Sequence, residues 1–231
     1  MTARPLFSLG PRLSLCAELT RPGRSLLDIG TDHAYLPIWL LKTGKIPRAV
    51  ASDIHQGPLD AARRHAALYG VGEELRLVRS DGLRALAPED GDDIAIAGMG
   101  GELILRMLTE TPWLRDPGKR LVLQPMTQLE KLRLGLWKLG FQVAEEHAVE
   151  ENGKAYTAFA AEYAGDVPQP DRLYLYMGRL SPDDPAAPAY ASKVLGDLRN
   201  RLRGAEHSGD REQARALREA IAGIEEIFIL R

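Results

Sequence analysis

Apolar residues along this chain fall into two alternating patterns. Short apolar runs predict buried strands at Ser25–Ile29, Ala49–Asp53, Leu75–Val78, Ile94–Ala97 and Arg120–Leu123. Amphipathic stretches between and around them predict helices at Arg12–Leu19, Ala34–Lys42, Pro58–Tyr69, Glu102–Leu108 and Leu129–Leu139. Gly44, Gly70 and Gly140 close three of those helices. Two last strands, Phe141–Val149 and Ala155–Tyr163, flank the turn Glu151-Asn152-Gly153-Lys154, and an Asn-Gly pair there signals an antiparallel hairpin.

Strands alternating with helices need crossover connections, so most of the sheet is parallel. The fold expected is α/β: a Rossmann-like, seven-stranded, mostly parallel sheet with a reversed last strand, as in methyltransferases of that architecture. Plain dinucleotide-binding domains usually lack the reversed strand. Fold alone does not fix function.

After Gly165 the composition changes. Two proline-rich stretches, 166–170 and 181–185, enclose a short apolar segment, Leu173–Leu180. From Ala187 to Ile229 the spacing is helical, with Val194, Leu198 and Leu202 on one face and Ala214, Leu217, Ile221 and Ile224 on another. Residues 206–210 separate the two runs. The chain therefore divides into a core domain, 1–165, and a linker with a C-terminal helical hairpin, coiled-coil-like, 166–231. The hairpin's mixed arginines and acids suit either an RNA-gripping arm or self-association.

Composition narrows the setting more than the chemistry. The 231 residues are 45% hydrophobic and 27% charged, ordinary for a globular protein. The single cysteine, Cys16, excludes a disulfide framework or a multi-thiolate metal site. The five histidines show no metal spacing. With no membrane-length apolar run and no signal-like start, the expected location is cytoplasmic. A net charge of -2 gives no global basic footprint for nucleic acid, although a local basic face is compatible with it. Arg4, Arg12, Arg21 and Arg24 around the first helix, with Lys42, Lys45 and Arg48 after the second, are candidates for such a face; solvated surface charge is the plainer reading.

The chemistry gathers after the strands. In an open parallel sheet, ligands bind outside the carboxyl ends of the strands. The first such segment is Asp28-Ile29-Gly30-Thr31-Asp32-His33. Gly30 permits the turn, but Asp32 and Ala34 stand where a diphosphate-binding loop places further glycines. Side chains there hinder close approach of a diphosphate, whereas an amino-acid tail tolerates them and an acid can pair with its ammonium group. That favours S-adenosylmethionine over a nicotinamide dinucleotide. Thr31 or Asp32 as a helix cap is the alternative.

Asp53, followed by Ile54, ends the second strand, where a carboxylate can accept from both ribose hydroxyls. Asp81-Gly82 follows the third, where Asp81 can accept from an adenine amino group; capping and turn formation are the plainer roles of these two acids. Gly98-Met99-Gly100-Gly101 follows the fourth and suggests backbone close to something flat, or a turn for helix packing. Enzymes that methylate exocyclic amines often carry Asn/Asp-Pro-Pro here. Its absence points to a ring nitrogen, which needs positioning more than activation. Gln124-Pro125 after the fifth strand and Tyr35, which can stack on a base, complete the candidates.

Read together, DIGTDHAYLP, SDIHQGPL, SDGL, IAIAGMGG, LVLQPM and EENGKAY resemble the bacterial tRNA (adenine-22 N1)-methyltransferase family over roughly residues 8–163. The resemblance implies methyl transfer from S-adenosylmethionine to N1 of an adenine in the tRNA D-arm region. It implies a cofactor site of Asp28, Gly30, Thr31, Asp32, His33, Asp53, Ile54, Asp81, Gly82, Gly98 and Met99, with Gly98, Met99, Gly100 and Gly101 also bordering the base. Asp32, Tyr35, Met99 and Gly100 are the candidates for the catalytic centre, Asp32 to stabilise developing positive charge. Met126 departs from the family's usual Gln-Pro-Asn. A methyltransferase acting on a small molecule or protein, and a nucleotide-sensing domain without turnover, are the rival readings.

Overall fold

The computed structural model describes residues 5–229, so Arg4 lies outside the described residues. A seven-stranded sheet runs in the order β3-β2-β1-β4-β5-β7-β6. Its parallel part comprises β1 (Leu26–Ile29), β2 (Ala49–Asp53), β3 (Leu75–Arg79), β4 (Asp93–Gly100) and β5 (Arg120–Thr127). β6 (Phe141–Glu151) and β7 (Lys154–Tyr163) form the antiparallel hairpin, and β7 pairs antiparallel with β5. Asn152 and Gly153 both adopt left-handed φ, 53° and 71°, as a two-residue hairpin turn requires.

Side-chain alternation divides the core into two layers. Leu26, Ala49, Ala51, Ala95 and Val122 face α1 (Pro11–Leu19), α2 (Tyr35–Lys42) and α3 (Gln56–Tyr69). Leu27, Val50, Ile94, Ile96, Leu121 and Leu123 face α4 (Gly101–Glu110) and α5 (Leu129–Lys138). β1 is buried at all its positions because both its faces are covered. The edge strands β3 and β6 instead carry Arg76, Arg79, Glu145 and His147, charged or polar positions that discourage further pairing.

Two strand ends differ from the sequence expectation. β4 runs on to Gly100 and β5 to Thr127, so Gly98–Gly100 and Gln124–Met126 are strand rather than loop. The pair remains hydrogen-bonded through two register shifts between Ala97 and Gly100. Irregular pairing of this kind is where glycines sit within strands.

Beyond β7 come α6 (Arg172–Met177), α7 (Ala187–Ser208) and α8 (Arg211–Phe228). The apolar segment 173–180 is therefore partly helical, and the break between the long helices is confined to Gly209-Asp210. α7 buries Tyr190, Ala191, Leu195 and Leu198, while Val194 and Leu202 of the expected face are only half-buried. The face is rotated because α7 packs on α8 and also on the β6–β7 hairpin, through Ala148 and Ala155. A buried ion pair locks this arm down. Arg133 of α5 pairs with Glu146 of β6 and donates to the Leu175 and Tyr176 carbonyls of α6 at 3.0 and 2.8 Å. Gly178 ends α6 with φ 64°, and a Cβ there would collide with Glu146.

Candidate functional site

Parallel pairing places the carboxyl ends of β1 to β5 along one edge of the sheet, and β1 lies between β2 and β4, where strand order reverses. At this edge Gly30 turns the chain with φ 71°, and the Gly30 and Thr31 N–H groups both donate to the Ser52 carbonyl at 2.8 Å. His33 and Ala34 follow with φ 62° and 56°. Left-handed backbone at non-glycine residues costs about 1–3 kcal/mol each and persists only where surroundings enforce it. Here the His33 carbonyl accepts from His65 Nδ1 at 3.2 Å, and the His33 ring stacks on His65 and Tyr35.

α2 begins at Tyr35 with Ala34 as its cap residue and no side-chain cap, so neither Thr31 nor Asp32 caps it. Thr31 is buried, while the Asp32 side chain is 81% exposed and lies 3.1 Å from His33 Nε2. Asp28 lies deeper, within β1 on the face covered by α1. Burial pushes its carboxyl up to about 6, partly offset by the Thr31 side chain beside it, with the Asp53 charge adding to the rise.

The other acids flank this turn. Asp53 Oδ1 accepts from the His55 N–H at 2.7 Å, and the Asp53 carbonyl accepts from Ser80 N–H at 3.0 Å, which draws the third turn against the second. Ile54 beside it is exposed. Asp81 is exposed and pairs with Arg84 at 2.7 Å. Gly82 is left-handed, and a Cβ on it would stand 2.8 Å from Met107 Sδ.

The fourth segment closes over the first. The Met99 side chain reaches from β4 to the β1 turn, its Cε 2.0 Å from where a Gly30 Cβ would stand. Gly98, at φ 76°, donates its N–H to Gln124 Oε1 at 3.1 Å. Gly101 has a packing role: a Cβ there would meet the Thr127 and Gln128 carbonyls at 2.8 and 2.7 Å. Pro125 and Met126 continue β5 alongside, Met99 being in register with Pro125.

Sequence reading missed what holds Gln124. Its side chain is fully buried, and Oε1 accepts from Arg12 Nη1 at 3.2 Å as well as from Gly98. Arg12 also pairs with Glu151 and lies over the Tyr156 ring, 5.1 Å from its centroid. No local pattern marks these partners, which come from the start of α1 and the tip of the hairpin. Tyr35, expected to stack on a base, has its ring edge-to-face with Phe7 at 5.1 Å and stacked on His33 at 5.5 Å.

Among the described residues the expected basic face does not form at this edge. α1 crosses the sheet, so Arg12 stands at the carboxyl ends while Arg21 stands at the opposite edge, bonded to Asp93 at 2.6 and 2.7 Å. Arg24 precedes β1 on that same side, Lys45 donates to the Ala17 carbonyl at 2.6 Å, and Arg48 precedes β2. Lys42 closes α2, which runs back from the site. Among the described residues of the group, only Arg12 stands at the carboxyl-end edge, against Gln124 of β5 and Glu151 of β6.

S-adenosylmethionine carries an ammonium, a carboxylate, two ribose hydroxyls and an adenine. The edge matches these with exposed or half-exposed carboxylates at Asp32, Asp53 and Asp81 and with turns at Gly30 and Gly82. Among the described residues, Thr31 Oγ1, Ser52 Oγ and His33 Nδ1 are buried there without a hydrogen-bond partner, which leaves polar capacity for a ligand. Among the described residues no group of three or more His, Cys, Asp or Glu is placed to hold a metal ion.

A methyltransferase-domain family model matches residues 9–159. The tRNA (adenine(22)-N(1))-methyltransferase of Bacillus subtilis (strain 168) is 36% identical over 158 residues, covering 68% of this chain and 66% of that protein, just under two thirds of its length. The crystal structure of the B. subtilis m1A22 tRNA methyltransferase superposes with a TM-score of 0.81 at 25% identity, covering 97% of this chain and 100% of that one. Streptococcus pneumoniae Sp1610, solved in complex with S-adenosyl-L-methionine, gives 0.78 at 33% identity over 94% and 98% of the two chains. Such coverage takes in the helices beyond residue 165.

Proposed function

The chain belongs to the methyltransferase-domain family and, within it, to the tRNA (adenine-22 N1)-methyltransferases, and from that premise we propose that it methylates N1 of adenine 22 in tRNA. The observation that carries this reading is the convergence of Asp32, Asp53 and Asp81 with the Gly98–Gly100 strand end at one sheet edge.

Bound S-adenosylmethionine supplies an electrophilic methyl group: its carbon–sulfur bond breaks as the carbon–N1 bond forms, and the positive charge passes from sulfur to the adenine ring with no proton released. The chain's task is therefore orientation, which can supply a large share of the rate. Asp53 is assigned to the ribose hydroxyls, with Ile54 beside it, and Asp81 with Gly82 to the adenine end of the cofactor. The Gly30-Thr31 turn and His33 hold the methionine end, with Asp28 beneath the turn. Asp32 faces the ammonium group and the charge that develops on the target ring. Its exposure means that water screens much of that effect. Gly98, Met99 and Gly100 present bare backbone and one flexible apolar side chain to the target base. Tyr35 is held by Phe7 and His33 beside the turn that carries Asp32.

N1 is engaged in a regular base pair, so the target adenine must be unpaired to be reached. Among the described residues no helix is long and apolar enough to cross a membrane. A tRNA substrate supports a cytoplasmic location.

The test is incubation of the purified chain with methyl-labelled S-adenosylmethionine and unmodified tRNA, followed by digestion to nucleosides. Label is expected in 1-methyladenosine and is lost when adenine 22 is replaced by guanine. Label in another nucleoside, or in a tRNA lacking that adenine, overturns the assignment.

A further inference from the structure

Beside the glycine-rich strand end, the β5–α5 connection and α7 face each other across a cleft of about 380 Å³. The cleft is continuous with the slot assigned to the target base. Gly100 is in register with Thr127, Gly101 abuts the Thr127 and Gln128 carbonyls, and Met126 to Gln128 form the cleft's first wall. Leu129, Val194 and Leu198 make the middle of the cleft apolar.

Its charges are not equivalent. Arg201 pairs with Glu130 at 2.7 Å, which neutralises that end within the protein. Lys193 makes no ion pair among the described residues. Its Nζ donates to the Ala155 carbonyl at 2.8 Å and lies 5.1 Å from the Tyr156 ring centroid and 5.9 Å from that of Tyr190. An ammonium has three donors, so Lys193 keeps donor capacity at the rim. Asp197, one turn further along α7, is the acid of the cleft closest to it in sequence.

We propose that this cleft is a nucleotide subsite for one unpaired nucleoside next to the target adenine. The base lies between Met126 and Leu129 on one side and Val194 and Leu198 on the other, with a neighbouring phosphate on Lys193. The proposal rests on the tRNA reading above. RNA is the occupant because a target presented with N1 free leaves its neighbours unstacked as well, and unstacked bases are held on apolar and aromatic surfaces. The cleft opens where such a neighbour leaves the slot. Its volume suits one nucleoside, whereas a partner helix needs a groove several turns long.

The test uses the full chain with unmodified tRNA. Val194→Trp fills the cleft, and Lys193→Gln removes its unpaired cation. Equilibrium tRNA binding, S-adenosylmethionine binding and thermal melting are measured for each. Val194→Trp is expected to weaken tRNA binding about tenfold, a change readily resolved in Kd. Lys193→Gln is expected to lower the slope of log Kd against log salt by roughly 0.7, one single-strand phosphate contact. Cofactor binding stays at the wild-type level in both. Wild-type tRNA affinity and salt slope in both variants overturn the proposal. So does a Val194→Trp chain that changes its sedimentation while its tRNA affinity stays unchanged, since the cleft then serves protein contact. If Val194→Trp fails to fold, an unchanged salt slope in Lys193→Gln is sufficient to overturn it. A wild-type chain that binds tRNA without methylating it removes the proposed activity, yet the variant binding comparison still decides the subsite. A wild-type chain that does not bind tRNA removes both.

Discussion

The Met99 side chain lies directly on Gly30, so close that a Cβ on the glycine would stand 2.0 Å from Met99 Cε. Two segments about seventy residues apart in sequence thus meet at the switch point of the sheet, and a side chain at position 30 would have to push the end of Met99 aside. The backbone gives the same restriction independently, since φ there is 71°.

Gly30→Ala is expected to lose about 1–2 kcal/mol from the left-handed backbone alone and to weaken S-adenosylmethionine binding further by displacing Met99. Adding Met99→Ala removes the collision but not the backbone cost. Calorimetric cofactor titration and urea unfolding of the single and double variants separate the two. Equal losses in both variants would mean that the methionine contact has no energetic weight.

Asp53→Asn keeps an acceptor for the His55 N–H and removes only charge. The expected result is an unchanged melting temperature with cofactor Kd raised about tenfold, as suits loss of one charge-assisted hydrogen bond. Wild-type cofactor affinity would remove Asp53 from the ribose role.

Asp28 gives a pH prediction. Its folded value of about 6 lies above the ordinary 3.8, chiefly through burial. The folded chain therefore binds more protons than the unfolded one between these values, and stability falls as pH rises through that window. Above it the full cost is on the order of 3 kcal/mol, at 1.36 kcal/mol per unit. Asp28→Asn is expected to flatten the urea midpoint between pH 4 and 6, to stabilise the fold near neutrality and to weaken cofactor binding. An Asn variant whose pH–stability curve overlays the wild-type curve refutes the buried-carboxylate account.

Glu146→Ala leaves the Arg133 charge buried and unpaired, and about 3–5 kcal/mol of stability is expected to be lost. Replacing both, Arg133→Met with Glu146→Leu, recovers only part of it. The Leu175 and Tyr176 carbonyls lose their donor, and the Arg179 N–H, which donates to Glu146 Oε2 at 2.9 Å, loses its acceptor. Chemical denaturation of the single and double variants checks this.

Cys16 is fully buried, and burial, with the nearby Asp28 charge, pushes its thiol up to about 12. It is expected to resist aromatic disulfide reagents in the native chain and to react at once in urea. Rapid native reaction would show that the α1 layer opens.

Much of this architecture was legible in one dimension because the physics involved is local. Apolar runs such as LLDI and AVASD mark strands covered on both faces, and Asn152-Gly153 sets its own turn. Legibility failed where tertiary pairing overrides local punctuation. Gly98–Gly100 and Pro125 look like loop, yet mutual hydrogen bonding carries β4 and β5 past them. α6 is too short for a period to declare it. The acids at the strand ends were visible as residue types, and the parallel sheet gathers those strand ends along one edge. The Arg12–Gln124–Gly98 contacts were not, because they join residues more than twenty positions apart with no pattern linking them. The basic residues around α1 misled for a geometric reason: a helix that crosses the sheet sends its two ends to opposite edges.

The Arg133–Glu146 pair has a consequence for exchange between relatives. The arginine comes from α5, its counter-charge from β6, and the carbonyls it serves from α6, with Gly178 leaving room for the carboxylate. A chimera that grafts a foreign 166–229 arm onto this sheet inherits half of that arrangement. Such a graft will hold only where donor and recipient already agree at positions 133, 146 and 178, so these three distant sites behave as a single heritable unit.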